Sequence, residues 1–307
     1  SLVIWRATPR WSTPIIVGTS WPIAFIVWWL LWQWKAQSPS SSARNSTCRI
    51  CPTAMSSVTS YFRVLFGVGP PSVPVTAKFR MGTDDDHLTF LETGRIAEGE
   101  GCAAIALHAR TAEQLYSGEA RWAAIGELKA AVPTIPVLGN GDIWEARDAL
   151  AMVDATGCDG VVVGRGCLGR PWLFRDLVAA FEGRAVPDPP LLGDVAATML
   201  RHVDLLVAWA GDHIGVREFR KHAGWYLKGY AVGSEVRRRA NTVSSREELA
   251  DLLGELDPTS PMTPEGRRAK RGHQGGPRRV SLPDGWYDDP DSTAALAGGA
   301  ESVSSGG

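Results

Sequence analysis

Residues 135–166 read IPVLGNGDIWEARDALAMVDATGCDGVVVGRG, and this stretch decides the fold. Its first residues are apolar, residues 143–157 follow a helical pattern, and three consecutive valines from Val161 indicate a second strand. A helix that joins two such strands is the connection that parallel strands require. Runs of valine without alternation are typical of a parallel sheet covered by helices. The stretch therefore predicts a parallel α/β arrangement.

The same strand and helix pattern recurs before this stretch and continues after it. Strands are predicted to begin near residues 75, 104, 135 and 160, a spacing of 25 to 31 residues. Four consecutive β/α units make half of a (β/α)8 barrel or most of a doubly wound sheet. Polar or glycine residues follow all four strands, and only in a barrel do these ends converge on one face. We therefore predict a (β/α)8 TIM-type barrel, of which residues 73–188 are the clearly present second half.

A different pattern begins after the Pro-rich residues 187–190. Residues 189–256 are predicted to form a small all-helical domain, because apolar residues recur at helical spacing in successive segments. From residue 257 onward Pro, Gly, Ser and charged residues dominate, and a basic run covers residues 267–279. We predict that residues 257–307 form a disordered tail.

Residues 1–72 do not continue the β/α pattern and are left unassigned. Seven of the 13 tryptophans lie in the first 34 residues, and the uncharged apolar stretch 14–34 has a marginal length for a membrane span. One interpretation is a membrane anchor. The other, which we favour because nothing after residue 72 requires a membrane, is a segment without an evolved fold. Cys48 and Cys51 form a lone C-x-x-C without a second pair, so no metal or redox site is predicted.

Composition bounds the cellular setting. The net charge is −1, so only local charge clusters can indicate a nucleic-acid partner. Five cysteines without a regular framework are typical of a reducing compartment. We therefore expect a cytoplasmic protein, monomeric and without a bound metal.

Both predicted strands within residues 135–166 end in glycine-rich sequences. The first is followed by Asn140, Gly141 and Asp142, and the second by Gly164 and Arg165. In TIM-type barrels a phosphate commonly lies in the loops after the last two strands. Glycine lets backbone amides approach a phosphate, and Arg165 could add a charged fork. Flavin mononucleotide (FMN) fits such a site, and a plain turn is the alternative.

Polar side chains also follow the two earlier strands. Lys78 could stabilise the charge of a reduced flavin, or it could be a surface lysine at a strand end. His108 could hydrogen-bond the cofactor or be satisfied in the core. Arg80 and Arg110 extend the same strand ends and could contact an anionic substrate. The long loop after His108 carries Tyr116, which could stack on a base or simply pack.

The helical region contains a basic and aromatic cluster. Residues 217–239 carry seven Arg or Lys residues against two Glu, and Trp225, Tyr226 and Tyr230 lie among them. The basic residues are Arg217, Arg220, Lys221, Lys228, Arg237, Arg238 and Arg239. Such a mixture suits structured RNA through phosphate neutralisation and stacking. A solvated helix face is the alternative.

Five stretches together resemble the bacterial B-type tRNA-dihydrouridine synthases. They are PVTAKFRMG, LHARTAEQLYSGEARW, IPVLGNGD, GCDGVVVGRGCLGRPWLF and REFRKHAGWYLKG. The resemblance covers residues 73 to about 256, and it implies FMN as cofactor, NADPH as reductant and tRNA as substrate. Such enzymes reduce the C5–C6 bond of uridine, with hydride added at C6 and a cysteine protonating C5.

The resemblance also implies roles for individual residues. Those implied to bind FMN are Lys78, His108, Asn140, Gly141, Asp142, Gly164 and Arg165. Arg80, Arg110 and the helical domain would face tRNA. The family's first barrel half, with a cysteine after an Asn-x-Gly-Cys-Pro strand end, is not recognisable before residue 74, so no catalytic residue is predicted. A half barrel would expose a sheet edge. A non-catalytic tRNA-binding remnant and a membrane-anchored protein remain as alternatives.

Overall fold

The chain was analysed as a computed structural model. The described residues are 2–5, 74–272, 275–280, 282 and 287. The apolar stretch 14–34, Cys48 and Cys51 lie outside them. The chain divides into two compact units, which we describe in turn. The first comprises residues 1–141, 152–162 and 275–307, and the second comprises residues 142–151 and 163–274.

The first unit is built on a sheet of mostly parallel strands. The strands are β1 (Leu2–Trp5), β2 (Thr76–Arg80), β3 (Ala104–His108), β4 (Val137–Asn140) and β5 (Gly160–Val163). Their order in the sheet is β1-β5-β4-β3-β2, and β2 to β5 pair in parallel. The connecting helices are α1 (Phe90–Gly99), α2 (Ala123–Ala131) and α3 (Ala146–Thr156), and residues 146–151 of α3 belong to the second unit. All four strands predicted from residue 75 onward are present, and their parallel pairing confirms the α/β class.

The two faces of this sheet differ in chemistry. On one face, Leu107, Gly139 and Val161 lie in one row and are covered by helices. A Cβ atom added to Gly139 would collide with the Met152 sulfur and lie 3.3 Å from Ile125 Cδ1, so the helices pack closely against the backbone there. On the other face the apolar residues Ala106, Leu138 and Val162 form a small buried cluster. That second face carries the polar strand ends.

The second unit is predominantly helical. Its helices are α4 (Leu173–Phe181), α5 (Leu192–Ala210), α6 (Asp212–Leu227), α7 (Gly233–Ala240), α8 (Arg246–Gly254) and α9 (Pro264–Arg268). Val195, Met199 and Val203 recur at helical spacing along α5 and are fully buried against α6 residues such as Phe219. The apolar residues that recur at helical spacing in the sequence are therefore the ones that form this core.

Local capping explains where α8 begins. The Ser245 side chain accepts a hydrogen bond from the Glu248 amide, and the Glu248 carboxylate accepts one from the Ser244 amide. Each contact satisfies an amide at the helix start or just before it. The Ser-x-x-Glu spacing is thus sufficient to set this boundary.

The prediction of disorder from residue 257 is wrong for the first part of that segment. Residues 264–268 form α9, Met262 is buried, and the Arg271 side chain is only 1% exposed. Composition misses this packing because arginine side chains and backbone carbonyls, rather than apolar residues, make most of the contacts.

The residues with described structure lack two features of membrane and metal-binding proteins. None of their helices is both long enough and apolar enough to cross a bilayer. Within the same residues, no group of three His, Cys, Asp or Glu side chains could hold a metal ion.

A half-buried histidine pair predicts a pH-dependent stability of the second unit. The rings of His202 on α5 and His222 on α6 lie 4.7 Å apart, and the Tyr226 hydroxyl lies 3.2 Å from His202 Nδ1. Desolvation, followed by repulsion from His202 and Lys221, lowers the pKa of His222 to about 4, against a weaker attraction from Glu218. Since the unfolded chain binds this proton near pH 6.5, stability should fall as the pH drops from about 6.5 to about 4.

We expect this histidine to account for a loss of about 2–3 kcal/mol over that range. Urea unfolding followed by circular dichroism at pH 6.5 and pH 4.5 measures it. The variant His222→Phe should lose less stability than the unaltered chain between the two pH values. Equal losses would show that His222 does not carry the effect.

Candidate functional site

Polar side chains at the carboxyl ends of the strands form one row in the first unit. The pairing register places Arg80 beside His108 and His108 beside Asn140. Lys78 lies two residues before Arg80, so both side chains belong to the same face of β2. Three of the seven residues predicted to bind FMN therefore share one face of the sheet, next to the buried apolar cluster.

His108 and Asn140 are held in place within this row. Both residues are buried. The Asn140 Nδ2 atom donates to the Val162 carbonyl at 2.6 Å, and the Asn140 carbonyl accepts from the Ala109 amide at 3.0 Å. The ring of Tyr116 lies 6.1 Å from that of His108. The bond to Val162 on β5 thus orients the Asn140 side-chain amide, and the bond from Ala109 holds its backbone.

Lys78 and Arg80 give this face a positive charge. Desolvation, followed by repulsion from Arg80, lowers the pKa of Lys78. The lysine is nevertheless exposed, so solvent screens part of this effect. Arg80 Nη1 donates to the Thr111 and Leu115 carbonyls, each at 2.9 Å. Its guanidinium lies 5.6 Å from the centre of the Tyr116 ring, so the loop after β3 orients Arg80.

Arg110, predicted to face tRNA, is buried. It is 1% exposed, and its Nε and Nη2 atoms donate to the Ser117 and Gly118 carbonyls at 3.2 and 2.8 Å. A guanidinium that bonds carbonyls of its own loop stabilises the loop conformation. The position of Arg110 after β3 does not predict its burial, because the sequence does not show that the following loop folds back over the arginine.

Gly141 continues the row with a backbone that favours glycine. Its φ angle is 134°, and an added Cβ would lie 2.6 Å from the Ala120 Cβ. The Trp122 indole donates to the Gly141 carbonyl at 3.0 Å. A residue with a side chain would therefore be strained at position 141 of the GNGD sequence.

The remaining residues predicted to bind FMN lie in the second unit. Arg165 Nη2 is 3.7 Å from Asp142 Oδ1, and its guanidinium lies 5.3 Å from the centre of the Trp144 ring. Both charged side chains are partly buried. A Cβ added to Gly164 would meet no atom within 4 Å, so the backbone beside Arg165 borders open space. An oriented guanidinium next to accessible backbone fits an anionic group such as a phosphate.

The basic residues of the helical region differ in their contacts and exposure. Some are used within the unit: Arg220 Nε donates to the Val243 carbonyl at 2.7 Å, and Lys228 Nζ donates to the Lys270 carbonyl at 2.5 Å. Others are exposed but face a carboxylate, namely Lys221 with Glu218, Arg238 with Glu235 and Arg239 with Glu255. Arg217 is exposed on α6 and Arg237 is half-buried on α7. The local positive excess is therefore smaller than a count of residues indicates.

Sequence reasoning missed the aromatic partners of the site. In the first unit, Trp122 directly precedes α2 and donates to the Gly141 carbonyl. In the second unit, the Trp144 ring lies beside the Arg165 guanidinium. The signal was present, since IPVLGNGDIW places Trp144 two residues after Asp142. Arg170 and Arg271 were also missed, because nothing in a pattern distinguishes a buried arginine from an exposed one.

Comparison with known proteins identifies the family. The family model for dihydrouridine synthase (Dus) matches residues 67–258. The chain belongs to the dihydrouridine synthase family. The family fold is a TIM barrel, and the parallel strands with their helices agree with that assignment.

Curated relatives carry matching names. The chain is 57% identical over 235 residues to the probable tRNA-dihydrouridine synthases of Mycobacterium tuberculosis H37Rv and Mycobacterium leprae. The match covers 76% of this chain and 60% or 61% of those proteins. The chain is 42% identical over 181 residues to tRNA-dihydrouridine synthase B of Pseudomonas putida, and this match covers 59% of this chain and 53% of that protein. The chain thus spans about 60% of the length of its mycobacterial relatives.

Proposed function

We propose that this member of the dihydrouridine synthase family acts in the flavin-dependent reduction of uridine to 5,6-dihydrouridine in tRNA, with NADPH as the reductant. The observation that carries the proposal is the row of Arg80, His108 and Asn140 at the strand ends, with Lys78 on the same face. The proposal retains the cytoplasmic location and monomeric state expected from composition.

Within the first unit, the residues would orient and stabilise a flavin ring. FMN bound there would supply hydride to C6 of the uracil ring. Lys78 would place a positive charge beside the ring edge where negative charge develops. Desolvation, followed by repulsion from Arg80, lowers the pKa of this lysine. His108 and Asn140 would fix the ring through hydrogen bonds, because their own positions are fixed by the sheet.

Within the second unit, Arg165 and Gly164 would bind the flavin phosphate. Trp144 and Asp142 orient the Arg165 guanidinium, and the open backbone at Gly164 lets an anion approach. The Asp142 carboxylate, 3.7 Å from Arg165 Nη2, would compete with the phosphate for the Arg165 guanidinium. We assign no general acid, because the cysteine expected from the family is not recognisable in the sequence.

The exposed basic face of α6 would contact tRNA. Arg217 and Lys221 are four residues apart and therefore lie on the same side of the helix. Arg237, Arg238 and Arg239 on α7 would add phosphate contacts, although two of them also contact glutamates.

Replacing Arg217 and Lys221 together with alanine should lower the affinity for tRNA and make that affinity less dependent on salt concentration. We expect the slope of log affinity against log salt to become shallower by about 1–2, since each phosphate contact contributes about 0.7–0.9. Filter binding at several salt concentrations measures this. Arg184→Ala is the matched control, because Arg184 is exposed in the same unit and pairs with Glu182 outside the basic cluster. A slope equal to that of the control would contradict the assignment.

The activity itself is tested directly. The full chain is incubated with FMN, NADPH and unmodified tRNA, and digested nucleosides are analysed for dihydrouridine by mass spectrometry. Formation of dihydrouridine that requires FMN and NADPH is the expected result. Salt-sensitive tRNA binding without any flavin binding would instead favour a non-catalytic tRNA-binding role, which the basic residues of α6 support independently.

A further inference from the structure

The segment 257–272, here called the clamp, follows α8 and lies almost wholly beyond residue 258, where the family match ends. The clamp is tied to the start of α5 by two backbone hydrogen bonds, from the Leu192 amide to the Ser260 carbonyl and from the Gly193 amide to the Pro258 carbonyl, both 2.9 Å. These contacts fix the first half of the clamp.

The second half of the clamp passes close to the end of α6. The Thr263 amide donates to the Gly229 carbonyl at 2.8 Å. A Cβ on Gly266 would collide with the backbone of Gly229, so the two chain segments approach more closely than any other residue pair allows. Arg271 donates to the Trp225, Gly266 and Ala269 carbonyls at 3.0, 3.1 and 2.9 Å, and also to the Lys228 carbonyl.

Arg268 connects the clamp to the loop that follows β4. Its Nη1 atom lies 3.2 Å from Glu145 Oε1 and 3.0 Å from Asp148 Oδ1. The other oxygen of Asp148 accepts from the Trp144 and Glu145 amides, both at 2.9 Å. Asp148 is therefore shared between the start of α3 and the clamp. Because both carboxylates are largely buried, the charge-assisted bonds are only partly screened by solvent.

Arg170 makes a second connection between the same two segments. It is buried, and its Nη1 atom donates to the Trp144 carbonyl at 2.8 Å and to the Arg267 carbonyl at 2.5 Å. The Trp144 ring in turn lies beside the Arg165 guanidinium. Gly272, at the end of the clamp, packs on Arg165 as well, since an added Cβ would lie 3.6 Å from Arg165 Cγ.

We propose that the clamp is a positioning element, which uses Arg268 and Arg170 to hold residues 142–148 and thereby orients Arg165 toward its anionic ligand. The expected effect of the clamp on FMN binding rests on the proposed function. Its restraint of residues 142–148 does not. Arg268 and Arg170 act through Trp144 and Asp148 and are positioning residues.

Hydrogen–deuterium exchange of the full chain tests the hold on the loop. In Arg268→Ala, peptides covering residues 142–150 should exchange about 5- to 10-fold faster, because the Asp148 carboxylate that accepts from the Trp144 and Glu145 amides loses its cationic partner. Arg268→Lys should restore part of the protection. Arg267→Ala is the matched control, since Arg267 has a similar exposure, 43% against 46%, but its ion pair within the described part of the chain is with the fully exposed Asp188 at 3.7 Å and not with residues 142–148. Equal exchange in all variants would overturn the proposal.

FMN binding, followed by quenching of flavin fluorescence, tests the orientation of Arg165. The dissociation constant should rise about 10-fold in Arg268→Ala and less than twofold in Arg267→Ala, with equal melting temperatures. Faster exchange with unchanged FMN affinity would overturn the positioning role. Absence of FMN binding by the unaltered chain would overturn the proposed function, while the exchange result would still decide the hold on the loop.

Discussion

Replacing Arg271 with methionine should lower the free energy of unfolding by about 3–5 kcal/mol. Arg271 is 1% exposed and donates to four backbone carbonyls, so methionine would leave several buried acceptors without a donor. Burial lowers the pKa of Arg271 to about 10, and the guanidinium therefore stays charged at neutral pH. The side chain contributes as a buried cation whose hydrogen bonds all go to the backbone.

Urea unfolding followed by circular dichroism measures this loss. Arg267→Met serves as the control, because Arg267 lies four residues away in the same segment with an exposed side chain, and we expect a change within about 0.5 kcal/mol. Equal midpoints for the two variants would mean that the clamp does not pack in solution, as the disorder prediction for residues 257–307 stated.

Replacing Lys78 with methionine should lower the rate of flavin-dependent uridine reduction by about 100- to 1,000-fold. The expected reason is the loss of a positive charge that faces the strand ends beside Arg80 and His108. FMN affinity should fall much less, because the phosphate contacts proposed for Arg165 are unchanged. Single-turnover reduction of the flavin by NADPH and dihydrouridine formation are the two readouts.

Lys78→Arg is the matched variant for this prediction, because it keeps the charge while changing the shape. We expect it to recover part of the rate. Since the pKa of Lys78 lies below its usual value, the rate of the unaltered chain should decline with rising pH earlier than for an ordinary lysine. A Lys78→Met chain with an undiminished rate would remove this lysine from the mechanism.

Much of the first unit could be predicted from the sequence, because its signals are local. Strand spacing and consecutive apolar residues locate β2 to β5, and the two-residue period of a strand then places Lys78 and Arg80 on one face. Because the strands pair in parallel, Arg80 then lies beside His108, and His108 lies beside Asn140. In the second unit, helical periodicity likewise locates α5 and α6.

What could not be predicted depends on contacts between distant residues. The burial of Arg110 and Arg271 follows from carbonyls that become available only after folding. Arg268 reaches Asp148 across 120 residues of sequence, and no short-range pattern encodes such a pair. Arg238 and Arg239 pair with glutamates, so the local positive charge is smaller than the number of basic residues indicates.

The measurement that tests the account most directly is the visible absorption spectrum of the purified full chain, incubated with FMN and then freed of unbound ligand. A retained flavin spectrum, lost in a chain carrying Arg165→Ala and Lys78→Met together, is the predicted result. A soluble, folded and colourless protein would contradict the proposed flavin site at the carboxyl ends of the strands.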